Sequence, residues 1–124
     1  MKTLIASILE NRSTKELFMF RALCGVCGAS YGNRVMRFSK AGMEPAAESR
    51  RIIFEALYEQ ELRSARQTAI REAAENLNYC PICRRLVCNR CFLICEDLDL
   101  CGECADRLNV PGSPVLSDTI VDAV

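Results

Sequence analysis

A chain of 124 residues, 50% of them hydrophobic and 26% charged, carries enough apolar side chain for one modest core, which excludes a disordered or low-complexity protein. Sixteen Lys and Arg balance sixteen Asp and Glu, for a formal net charge of zero. A polycation that grips nucleic acid by charge alone is therefore not expected.

At the N-terminus, Leu4 to Leu9 is apolar and meets Glu10, Asn11 and Arg12 at once. That run is short for a signal-peptide core, and no segment reaches the roughly 18 apolar residues of a membrane span. A cytoplasmic, reducing setting is the expectation. Residues 2–10 suit a short helix. Ser13 with Glu16 has the form of a capping box leading into Leu17-Phe18-Met19-Phe20, which predicts a second helix start. Residues 1–23 thus read as a helical or extended N-terminal segment, with a basic bias that continues to Lys40.

The first cysteine pair, Cys24 and Cys27, opens a stretch to Gly42 in which Gly32 and Asn33 mark turns. From Pro45 to Asn78 there is neither glycine nor a further proline. Phe54, Tyr58, Leu62, Ala65, Ala69, Ala73 and Leu77 recur there at steps of three and four, which is one face of a helix. A continuous helix over Pro45–Asn78 would be about 50 Å long. Such a rod must fold back on its own chain or pack on another, and its alanines permit close approach of a partner. Residues 79–108 hold the remaining cysteines. Residues 109–124, with Pro111, Gly112 and Pro114 among acidic side chains, read as a flexible tail.

Eight of the nine cysteines fall into four CxxC pairs: Cys24 and Cys27, Cys80 and Cys83, Cys88 and Cys91, Cys101 and Cys104. A CxxC turn brings two sulfurs onto one ion, and its backbone N–H groups face the thiolates. Two such turns complete a tetrahedral Cys₄ site. In a reducing compartment this pattern predicts two structural Zn²⁺ and no disulfides. Cys83 and Cys88 are too close in sequence for their turns to share a metal comfortably. Two arrangements remain. Sequential ligation joins Cys24, Cys27, Cys80 and Cys83 in one site and Cys88, Cys91, Cys101 and Cys104 in the other. Interleaved ligation joins Cys24, Cys27, Cys88 and Cys91 in site 1 and Cys80, Cys83, Cys101 and Cys104 in site 2. Cys95, within Phe92-Leu93-Ile94-Cys95, reads as a buried free thiol.

The CxxC-x4-CxxC spacing followed by a final CxxC resembles the FYVE-type zinc fingers, and Tyr31 matches the aromatic that follows the family's first pair. That resemblance implies interleaved ligation. Where the family carries its basic RRHHCR segment, this chain reads Asn76-Leu77-Asn78-Tyr79-Cys80 and has no histidine, so phosphoinositide binding is not implied. LIM modules resemble the sequential alternative but place two residues between their middle pairs. The expected fold is a small α+β zinc-stabilised domain: a double Cys₄ module with short β-hairpins at 24–108, interrupted by a helical insertion at 43–78.

A closed Cys₄ shell leaves no position for water or substrate. Without histidine, Glu103 is the nearest thing to a base. No enzyme is expected. The functional expectation is an adaptor that meets a protein partner or a second copy through the helix Pro45–Asn78. Nucleic-acid binding through Arg84, Arg85 and Arg90 with Tyr79 and Phe92 is the alternative, and thiol redox or metal-responsive chemistry a second.

Overall fold

The computed structural model describes residues 1–115, and these fall into two compact units, Lys2–Ala22 with Tyr31–Ala73, and Met1 and Leu23–Ser30 with the chain from Ala74 onward. This division departs from the sequence reading. Residues 31–73, with most of the helical segment, do interrupt the cysteine-bearing unit, but they form a unit of their own with the N-terminal residues. Tyr31 goes with it.

The first unit contains helix α1 (Lys2–Ile8), strands β1 (Glu10–Asn11), β2 (Leu17–Phe18), β3 (Phe20–Leu23, up to Ala22), β4 (Ser30–Gly32, from Tyr31) and β5 (Met36–Arg37), and most of helix α2 (Glu48–Asn76). The order in its three-stranded sheet is β1-β3-β4, and β2 pairs antiparallel with β5 through Leu17↔Arg37 and Phe18↔Met36. The helix start expected at Ser13 is absent. Ser13 Oγ instead accepts from the Met19 amide at 3.0 Å, and Thr14 Oγ1 accepts from Leu17 at 3.1 Å. These are local side-chain turns that compete with helix. The alternation of buried Phe18 and Phe20 with their less buried neighbours is a strand period, and it overrides the capping signal.

Phe18, Phe20, Phe38, Ala65 and Ala69 form the core of this unit, with Phe54, Leu57, Tyr58 and Leu62 packed against it. Phe38 meets three rings edge-on: Phe18 at 5.9 Å, Phe54 at 5.2 Å and Tyr58 at 5.3 Å. Such edge-to-face pairs add to the burial energy. Buried Asn33 holds the strands in place. Its Oδ1 accepts from the Phe20 amide at 2.8 Å, and its Nδ2 donates to the Phe18 and Arg34 carbonyls at 3.1 and 2.8 Å. Gly32 is required beside it, since a Cβ there would lie 1.9 Å from the Phe20 carbonyl oxygen.

Helix α2 is shorter than the Pro45–Asn78 expected: it starts at Glu48, and the chain turns to strand at Leu77. Its stripe is used within the chain: Ala65, Ala69 and Ala73 are 0% exposed and Leu77 is 2% exposed. This corrects the expectation that the stripe is offered to a partner. Within the first unit, Phe18, Phe20 and Phe38 cover its Ala65 and Ala69.

The second unit carries strands β6 (Leu77–Tyr79), β7 (Leu86–Cys88), β8 (Phe92–Cys95), β9 (Leu100–Cys101) and β10 (Gly112–Pro114), and helix α3 (Gly102–Leu108). β6 and β7 form a hairpin with Leu77 opposite Cys88 and Tyr79 opposite Leu86. β8 lies between β9 and β10, with Phe92 opposite Cys101 and Gly112 opposite Cys95. The first part of the expected tail is thus an added strand. Gly112 permits it, because a Cβ there would meet Cys95 Sγ at 2.6 Å. Residues 116–124, the rest of that expected tail, lie outside the described residues. Among the described residues no helix is long and apolar enough to cross a membrane.

Candidate metal centre

Two of the CxxC turns are copies of one another. In the first, the Gly28 amide donates to the Cys24 carbonyl at 3.0 Å and the Cys24 amide donates to the Ala29 carbonyl at 2.8 Å. In the second, at the tip of the β6–β7 hairpin, Arg84 donates to Cys80 at 2.7 Å and Cys80 to Arg85 at 2.9 Å. Both need a left-handed residue just after the second cysteine. Gly28 supplies it at φ 76°, and Arg84 adopts it at φ 61°. A side chain is strained there, so Arg84→Gly is expected to stabilise the metal-loaded protein by about 0.5–1 kcal/mol and Gly28→Ala to destabilise it by about 1 kcal/mol. Urea midpoints at unchanged m-value check both.

The other two turns sit where strands end. Cys88 closes β7, and the Cys91 amide donates back to its carbonyl at 3.0 Å. Cys101 closes β9 and caps α3, its Sγ accepting from the Cys104 amide at 3.4 Å.

These turns converge as two groups, Cys24, Cys27, Cys88 and Cys91, and Cys80, Cys83, Cys101 and Cys104, with the four sulfurs of each group all within 4.8 Å of one another. The grouping has a simple cause. Strand β7 carries the chain about 10 Å away from the Cys80–Cys83 tip, so Cys88 reaches the first turn and not the second. The Cys88 amide seals that meeting by donating to Cys24 Sγ at 3.2 Å.

The spacing of the sulfurs identifies what fits between them. A tetrahedral ion with metal–sulfur bonds of about 2.3 Å holds its sulfurs about 3.8 Å apart. Cys27 and Cys88 are 3.7 Å apart, and Cys83 and Cys101 are 3.8 Å apart. A disulfide needs about 2.05 Å, and all nine cysteines are free. Each group could hold one metal ion. Cys95 joins neither. It is half-buried, less enclosed than its apolar neighbours suggest, and its amide donates to Asp99 Oδ1 at 3.0 Å.

Electrostatics favour ionisation at some sulfurs of each group and oppose it at others. Burial opposes ionisation of Cys24 and Cys80, yet backbone amides from Cys27, Cys88 and Val26, and from Cys101, Cys83 and Ile82, draw both below the ordinary thiol range. Burial also opposes ionisation of Cys83, but the Arg85 guanidinium brings it down to about 6. Burial, with the neighbouring sulfurs, raises Cys91 and pushes Cys104 up to about 12. A divalent cation would deprotonate the remainder.

Arg85 is the residue that the sequence did not place. Its Nε donates to Cys83 Sγ at 3.2 Å, its Nη1 to the Gly25 carbonyl at 2.8 Å and its Nη2 to Glu103 Oε2 at 2.9 Å. These bonds engage its guanidinium within the cysteine-bearing unit. They also give Glu103, the nearest candidate for a base, the role of an ion-pair partner. Arg107 Nη2 donates to Cys104 Sγ at 3.4 Å. Comparison with protein-family models, with curated proteins and with solved structures finds no match to this chain.

Proposed function

We propose that the protein is a non-enzymatic zinc-binding adaptor whose two Cys₄ groups each take one Zn²⁺ in an interleaved, FYVE-like arrangement. The observation that carries this reading is the pair of four-sulfur groups, each drawn within 4.8 Å and each holding one sulfur pair at the 3.7–3.8 Å that a tetrahedral ion requires. Zinc is the ion of choice for closed thiolate shells, and a closed shell stabilises a fold and leaves no position for substrate.

With the alanine stripe used inside the chain, the partner surface of the adaptor moves to the start of α2. Ile52 and Ile53 are 62% and 58% exposed there, apolar side chains that the core does not need. Purified protein should contain two zinc ions per chain. Affinity purification should then recover a protein partner with the wild type and lose it with Ile52→Glu and Ile53→Glu combined, at unchanged zinc content. Zinc-replete protein with catalytic turnover, or a partner set indifferent to the double variant, contradicts the adaptor reading.

A further inference from the structure

Three bonds join the turns of the two cysteine groups to one another or to the strand that runs between them. The Gly25 amide, inside the first CxxC turn, donates to the Leu86 carbonyl at 2.8 Å, and the Gly102 amide, inside the fourth, donates to the Cys91 carbonyl at 2.8 Å. The third tie is charged. The guanidinium of Arg85 spans from Cys83 Sγ at 3.2 Å to the Gly25 carbonyl at 2.8 Å. Its Nη2 also lies 4.0 Å from Cys101 Sγ and is held by Glu103.

We propose that Arg85 couples the two metal sites, so that the protein takes up its two ions as one event; this rests on the zinc reading above. A Cys₄ site with a divalent ion carries about two negative charges, and a guanidinium on its sulfurs offsets part of that charge. The planar fork of Arg85 can face Cys83 and Gly25 together only when both turns are formed. Binding at the first group fixes the Cys24–Cys27 turn and its Gly25 carbonyl. That carbonyl then holds Arg85 where the second group needs it. By linkage the effect is reciprocal. Arg107 touches only Cys104 of the second group, so it serves as the control: it supports one site without joining the two.

The test is native mass spectrometry of the full chain titrated with Zn²⁺ from a chelator-buffered pool. Wild type at one equivalent should be a mixture of metal-free and two-ion protein with little one-ion species. Arg85→Gln should accumulate the one-ion species and lose about 10- to 100-fold in affinity at the second group. Arg85→Lys, which keeps the charge without the fork, should accumulate it too and guards against a variant that does not fold. Arg107→Gln should weaken the second group while keeping all-or-none loading. A wild type that fills statistically overturns the coupling, and all-or-none loading in both Arg85 variants overturns the role of Arg85; the zinc reading survives either. Wild type that takes up no ion overturns both.

Discussion

Withdrawal of metal should unfold the cysteine-bearing unit. Its described interior contains Leu77, Leu86, Val87, Phe92, Leu100 and Ala105, together with five buried cysteines. Cys27 and Cys88 in one group and Cys83 and Cys101 in the other bring their sulfurs to 3.7 and 3.8 Å, a spacing that a shared metal would satisfy. A structural Zn²⁺ contributes about 10–16 kcal/mol of apparent folding energy, which matches or exceeds the 5–15 kcal/mol of a whole domain. Amides of β6, β7, β8 and α3 should therefore lose hydrogen-exchange protection on chelation, and Cys88→Ala should do the same without a chelator. Acid should act in the same direction. Cys83, at about 6 in the folded chain, lies below the ordinary thiol value of about 8.5. Its contribution in the metal-free chain is full above about 8.5 and is lost as pH falls through 6, and in the loaded protein protons compete with the metal for the same thiolates. Protection that persists in chelated protein contradicts the assignment of a structural metal.

Phe38→Ala should cost the aromatic unit about 3–5 kcal/mol. Phe38 is 2% exposed and touches three other rings, so its removal leaves a cavity bounded by stiff aromatic faces that relax poorly. In a unit of this size that is most of the available stability. Phe38→Leu keeps much of the volume and should cost distinctly less. Urea denaturation of the two variants separates the outcomes, and a loss below about 1 kcal/mol for Phe38→Ala contradicts the central place given to this ring.

Local features were the legible ones. Each CxxC is a turn written in four consecutive residues, and α2 announces itself by a long stretch without glycine or proline. How the turns group was open, because it depends on the length of β7, which spacing alone does not reveal. The resemblance to FYVE-type fingers, and not the residues themselves, pointed to the interleaved set. The stripe on α2 was legible, but what covers it was not, since Phe18, Phe20 and Phe38 lie far from it in sequence. Arg85 reaches Gly25 across 60 positions, and no local pattern encodes that contact. Ser13 and Gly112 misled for a different reason. A helix-capping pattern and a Pro/Gly-rich end carry ordinary meanings that the strand alternation at Phe18 and Phe20 and the close approach to Cys95 override.

Two four-cysteine groups share one small unit. Replacing the metal with ¹¹³Cd and recording proton–cadmium correlations through the cysteine β-protons reads the ligands of each ion directly. Two cadmium resonances are expected, one correlated with Cys24, Cys27, Cys88 and Cys91 and the other with Cys80, Cys83, Cys101 and Cys104. A resonance joining Cys24 and Cys27 to Cys80 and Cys83, or a single bound ion, would contradict this grouping.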